Sequence, residues 1–182
     1  MDSKFFSLGP TWGNKWYWGQ VELDPYDEIY MKGMEGFKGV VNIEIDAGTT
    51  AGDFIWNSHN LIIISNKVLG IWEQYEKFET YRVKIINKYV KNYIGIVFLG
   101  RAGPFDPIKS RAVYSKALNA KGKHAIMHME GSYFDEGKWN GNDLCTIDEF
   151  PLGPIITERV MKDMKKAKVT NCKYTPVEDV KF

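Results

Sequence analysis

A chain of 182 residues with 44% apolar and 26% charged side chains has the composition of a globular protein able to bury a core, which excludes global disorder. Its net charge of +1 argues against a protein built mainly to hold nucleic acid by neutralising phosphates. No apolar run reaches the ~18 residues of a membrane helix, and the N-terminus MDSKFFSLGPTWGNKW lacks the apolar stretch of a secretory signal. The expectation is a soluble, cytoplasmic protein with no membrane and no nucleic acid among its partners.

In chain order, residues 1–20 crowd Phe5, Phe6, Trp12, Trp16, Tyr17 and Trp18. Such rings commonly carry an N-terminal strand into a core; exposed, they would stack on a base or sugar. Asp24-Pro25 and Gly33, Gly36 and Gly39 mark turns, because Pro fixes φ and Gly supplies positive φ cheaply. The stretch GMEGFKG lacks the Lys-Ser/Thr ending of a phosphate loop. Val40–Ile45 alternates apolar and polar, the pattern of a half-buried strand. After the loop AGTTAGD, the pattern predicts a strand at Leu61–Ile64, a helix at Asn66–Phe78 and a strand at Tyr81–Ile86. Asn87–Asn92 reads as a basic turn. Ile94–Leu99, the most apolar run, reads as a central strand. Ser110–Leu118 leans to strand, and Ala125–Met129 alternates like one.

In the last third, Pro154–Thr157 is a short branched run and Glu158–Lys168 an amphipathic helix presenting Val160, Met164 and Ala167 on one face. The hydroxyl of Thr157 is expected to cap this helix by accepting from the free N–H groups of its first turn. Glu158 at the start and Lys165, Lys166 and Lys168 at the end suit the helix dipole. A further strand is expected in VTNCKY.

An earlier stretch echoes this arrangement. Ile63-Ile64-Ser65, Lys67-Val68 and Trp72 match Ile155-Ile156-Thr157, Arg159-Val160 and Met164 at one constant offset, with Gly52-Asp53-Phe54 matching Gly141 to Leu144 upstream. The fold class expected is therefore α+β, with mixed or antiparallel sheets and two principal helices, each following a short strand in two similar strand–helix–strand units. One domain spans 1–182: aromatic-rich strands and loops at 1–50, a first unit at 51–100 and a second at 101–182.

The search for reactive groups is short. Cys145 and Cys172 form no CxxC pair, and His124 and His128 lack the Glu of a helical zinc motif. No serine sits in a nucleophile elbow. Asp135, Asp143 and Asp148 could converge on a metal or a glycoside, although acids beside Gly and Asn more often cap turns. Charge falls in blocks: acidic over 21–53, basic over 81–123, and acidic again over 130–149. Such blocks either steer a partner or neutralise one another in the fold.

Phe105, Asp106, Ser110, the run Ser132-Tyr133-Phe134-Asp135, Trp139, Gly141, Asp143 and Leu144 form an order that continues through Ile155, Ile156, Thr157, Val160, Ala167, Lys168, Thr170 and Asn171. That order resembles a bacterial immunity-protein family of polymorphic toxin systems, immunity family eleven, formerly a domain of unknown function. The resemblance is best over 105–182, weaker over 53–81, and absent before that. Its motifs specify fold more than chemistry; Phe105, Asp106, Ser132, Tyr133, Gly141, Thr157 and Asn171 are expected in structural roles. It implies a non-enzymatic protein that binds and neutralises a toxin encoded nearby, with no catalytic residue, no metal and no cofactor. The acidic stretch would then meet a basic toxin through Asp135, Glu136, Trp139, Asp143, Asp148 and Glu149. Two other readings stay open: a metal-dependent hydrolase using Asp135 and Asp143, and a small-ligand sensor with Trp12, Trp16, Trp18 and Trp139 around an aromatic pocket.

Overall fold

In the computed structural model of the protein, strand β1 (Phe5–Gly9) divides its side chains between two cores. Phe6 and Leu8 face one and Phe5 faces the other, as the two-residue period of a strand requires. The structure describes residues 4–11, 13–21, 37, 39–90, 92–118, 124–148 and 153–181. The expected GMEGFKG loop (for the most part), Trp12 and Glu149 lie outside them.

The following strands are β2 (Trp18–Val21), β3 (Val40–Ala47), β4 (Trp56–Asn57) and β5 (Ile62–Ser65), which runs into helix α1 (Asn66–Trp72). Next come β6 (Glu79–Ile85), β7 (Tyr93–Val97), β8 (Gly100–Pro104), β9 (Val113–Leu118), β10 (His124–His128) and β11 (Leu144–Asp148). Strand β12 (Ile155–Thr157), helix α2 (Glu158–Lys166) and β13 (Lys173–Pro176) complete the order. The protein is thus mixed α+β, strand-rich, with two helices among the described residues. The strands flanking α1 and those flanking α2 lie in different sheets.

Six strands, ordered β4-β2-β3-β6-β7-β5, form a sheet that all but closes into a barrel. Phe54 bridges Ile64, and the Ile55 N–H donates to the Ile63 carbonyl at 3.0 Å, so the chain entering β4 meets the far edge strand β5. One face buries Val21, Val41, Ile43, Ile45, Ile55, Ile63 and Tyr81. In this cluster Gly95 lies so close over the Tyr81 ring that no side chain fits there. A second sheet is ordered β13-β1-β12-β11-β8, with β8 and β11 parallel. Among the described residues, strands β9 and β10 pair only with each other.

The largest core joins both sheets. Phe54, Trp56, Ile64, Ile96 and Phe98 come from the barrel, and Phe6, Leu8, Leu144 and Ile156 from the second sheet. Helices α1 and α2 lie against this core through Val68 and Trp72, and through Val160, Met161 and Met164. The Trp72 indole N–H reaches the Met164 sulfur at 3.3 Å. Side chains four residues apart share a helix face, which makes both stripes.

Three local expectations need correction. Helix α1 stops at Trp72, not Phe78: the Gln74 and Tyr75 N–H groups bond back to the carbonyls of Ile71 and Trp72, three residues earlier. That tightening lets Tyr75 donate to Asp163 at 2.6 Å and Glu76 accept from the Leu144 N–H at 2.5 Å. Helix α2 stops at Lys166, not Lys168, because Lys168 turns left-handed at φ 53°. The hydroxyls of Ser65 and Thr157 do not cap their helices; each donates instead to an aspartate.

Candidate functional site

Each helix start is tied to one aspartate. At α1, Asp53 accepts from the Ser65 hydroxyl (2.8 Å), the Lys67 ammonium (3.0 Å) and both the N–H and hydroxyl of Thr170 (2.8 and 2.9 Å). At α2, Asp143 accepts from the Thr157 hydroxyl and from the Arg159 guanidinium, whose Nε lies 2.5 Å away. The backbone repeats the relation: the Ser65 N–H donates to the Asp53 carbonyl and the Thr157 N–H to the Asp143 carbonyl. Burial pushes the Asp53 carboxyl up, but the hydrogen bonds from Thr170, Lys67 and Ser65 outweigh it and hold the group below its ordinary value of 3.8.

These clusters are structural in geometry. Asp143 is 5% exposed and both its oxygens are engaged, so it offers no surface to a partner, contrary to the sequence expectation. Nor are its oxygens open to a metal. Asp135 is exposed, and its side chain accepts from the Gly137 N–H as the cap of a short 3-10 turn over Glu136–Lys138. No group of three or more His, Cys, Asp or Glu among the described residues is arranged to hold a metal ion.

The other expected contact residues divide. Glu136 is exposed; Asp148 is partly exposed and faces Arg101 at 3.4 Å. Trp139 is largely occupied by the fold: its ring meets Phe5 edge-on at 5.2 Å, its N–H donates to the Asn142 carbonyl, and the Lys4 ammonium sits 4.2 Å from the ring centre. Trp18 packs against the large shared core and Trp139 against the second-sheet core, so these two rings do not line one pocket.

The residues expected in structural roles are placed as follows. Phe105 bridges Phe134, and Asp106 accepts from the N–H groups of Ile108 and Lys109. Ser132 is buried beside Tyr133, whose N–H donates to the Ser110 hydroxyl. Gly141 holds φ 89°. Asn171 donates to the Phe54 carbonyl and accepts from the Trp56 indole through its own carbonyl. Burial pushes the Cys145 thiol up to about 12, which suits a packing residue rather than a nucleophile.

Two surface features remain. A shallow cleft of about 540 Å³ runs between Phe105 and Phe134, lined by Asp106, Lys109, Asp135 and Glu136 among others. Beside it, large apolar side chains stand in solvent on and next to the β9–β10 ribbon: Ile108, Val113, Tyr114, Leu118 and Met127. The sequence reading did not single these out. A signal was present, since Pro107 to His128 carries Lys109, Arg111, Lys116, Lys121 and Lys123 and no acid, interleaved with apolar residues.

Comparison with known proteins gives no match: no family model fits the chain, and no curated protein sequence does either. No helix among the described residues is long and apolar enough to cross a membrane.

Proposed function

We propose that the protein is a partner-binding module that neutralises a toxin encoded beside it, acting in the cytoplasm of the producing cell. The observation that carries this reading is the exposure of five large apolar side chains on and next to one two-stranded ribbon: Ile108, Val113, Tyr114, Leu118 and Met127. Large apolar side chains left in solvent on one element suit protein–protein contact. The resemblance of residues 105–182 to immunity family eleven supplies the kind of partner. Asp135 and Glu136, exposed on the cleft, remain contact candidates from the acidic stretch; Asp143 does not.

The fold reading that goes with this proposal is that the two strand–helix–strand units derive from one plan. Beyond the paired Asp53 and Asp143 clusters, the Asn66 N–H donates to the Asn92 carbonyl as the Glu158 N–H donates to the Lys4 carbonyl. Likewise β7 lies between β5 and β6 as β1 lies between β12 and β13.

The deciding experiment is a pull-down of the tagged protein against the product of the neighbouring open reading frame, with growth rescue on co-expression. Tight binding with rescue is expected. Absence of both binding and rescue would overturn the toxin reading.

A further inference from the structure

The β9–β10 ribbon is unlike the rest of the molecule. Its strands pair with each other antiparallel and with no other strand, so each has one edge unpaired by any described strand. Every β9 residue except Ser115, and every β10 residue except Ile126, is exposed. Leu118 and Met127 are 61% and 62% exposed, although strands normally place such side chains against a core.

The ribbon's base is firmly held. Ile126 packs on the second-sheet core beside the fully buried Met129. Arg111 pairs with Glu130 at 2.6 Å, and the Glu130 N–H donates to the Ser110 carbonyl at 2.8 Å. A rigid base beneath an exposed, partly apolar ribbon is a preformed contact element, which spares a partner the entropy of ordering it.

Charge narrows the partner. Among described residues of the ribbon the charged or chargeable groups are Lys116, His124 and His128, and no acid interrupts the sequence from Pro107 to His128. Phosphate binding alone would not need Leu118 and Met127 in solvent; exposed apolar side chains interspersed with cationic ones suit a protein partner. We infer that the β9–β10 ribbon is a docking arm for a protein surface that carries acidic and apolar side chains. It rests on the partner-binding reading and reverses the polarity expected from the sequence, in which an acidic stretch met a basic toxin. Complementary charge would speed capture and leave a salt-dependent affinity.

The test uses the full chain and two probes. In the first, amide NMR shifts are followed on titration with a peptide of alternating Glu and Leu, with an alternating Lys-Leu peptide and a DNA duplex as controls. Shifts confined to residues 113–128 with the Glu-Leu peptide, weakened by salt and about tenfold in Lys116→Glu or in Leu118→Asp/Met127→Asp, are expected. Both variants alter exposed positions, and unchanged circular dichroism checks that they fold. No ribbon shift, equal shifts with Lys-Leu, or tighter binding of DNA would overturn the proposal. In the second, hydrogen exchange is measured with the neighbouring-frame product. Protection at the ribbon supports the arm; tight binding with protection elsewhere overturns it while leaving the toxin reading intact. Failure of that product to bind, with Glu-Leu binding retained, overturns the toxin reading and leaves the arm.

Discussion

Asp143 and Arg159 share one ion pair but not one environment. The carboxylate side chain is 5% exposed and the guanidinium 67% exposed, so the two halves of the pair respond differently to loss of a partner. Removing the arginine strands a buried anion with only the Thr157 hydroxyl beside it. Removing the charge of the aspartate leaves a cation that water can solvate. Arg159→Ala is therefore expected to cost about 3 kcal/mol and Asp143→Asn about half of that, measured by urea unfolding. Asp53 behaves conventionally: its lowered pKa contributes stability above its ordinary value of 3.8, lost as pH falls through the folded value. Asp53→Asn should thus be less stable than the parent at neutral pH, with the gap closing in acid. Glu76 has the opposite sign: burial raises its pKa, the Leu144 N–H only partly opposing this, so its contribution is present in acid and fades as pH rises through the folded value. Both aspartates stand out in the sequence, but their bonding does not. A hydroxyl before a helix reads as a cap; only the tertiary fold brings in an acid more than ten residues upstream to claim it.

At the scale of elements, helix starts were more legible than helix ends. Apolar residues at four-residue spacing locate Val68 and Trp72, and Val160 and Met164, on the buried faces where they lie. The ends depend on contacts that are remote in sequence. Helix α1 yields to the hydrogen bonds of Tyr75 and Glu76 across to α2 and β11. Helix α2 closes through paired bonds from Val169 to the Met164 carbonyl and from Lys168 to the Lys165 carbonyl, with Lys168 left-handed. Such a turn favours glycine, whose missing Cβ relieves the left-handed strain. Lys168→Gly should therefore raise stability by about 0.5–1 kcal/mol despite removing a cation from the helix end. Its backbone carbonyl, which accepts from Lys67, is unchanged. A thermal melt reads the result, and a destabilised variant would show that the lysine side chain has a role of its own. Strand registers in the barrel follow the alternation visible over Val40–Ile45. Both strands of the ribbon are legible in the sequence, but their exposure is not, because periodicity locates a strand and not the absence of a sheet above it.

For the whole molecule, the informative strand is β1. It lies between β12 and β13, so residues from the start of the chain complete a sheet made otherwise from residues 100–176. Local pattern marks such a strand but cannot assign its neighbours, which is why the sheet memberships were not legible. The pairing has a topological consequence. Phe6 faces Pro176 and Gly9 faces Lys173, so the end of β13 lies beside the start of β1, as the two strands of a hairpin do. Antiparallel neighbours joined by a short segment are the ordinary case in folds. A circular permutant joining residue 182 to residue 1 and opened at Gly13, near the exposed Thr11, should fold with the parent's circular dichroism spectrum. Simple deletion of residues 1–9 has the opposite expectation. It removes Phe5, Phe6 and Leu8 from two cores and the pairing partners of both β12 and β13. Loss of several large buried side chains, at about 2–5 kcal/mol each, exceeds the margin of an ordinary domain. Because the largest core draws on both sheets, tryptophan fluorescence and backbone circular dichroism should lose their folded signals together in the deletion and melt together in the permutant. A permutant that melts in two separate steps would show that the shared core does not couple the sheets.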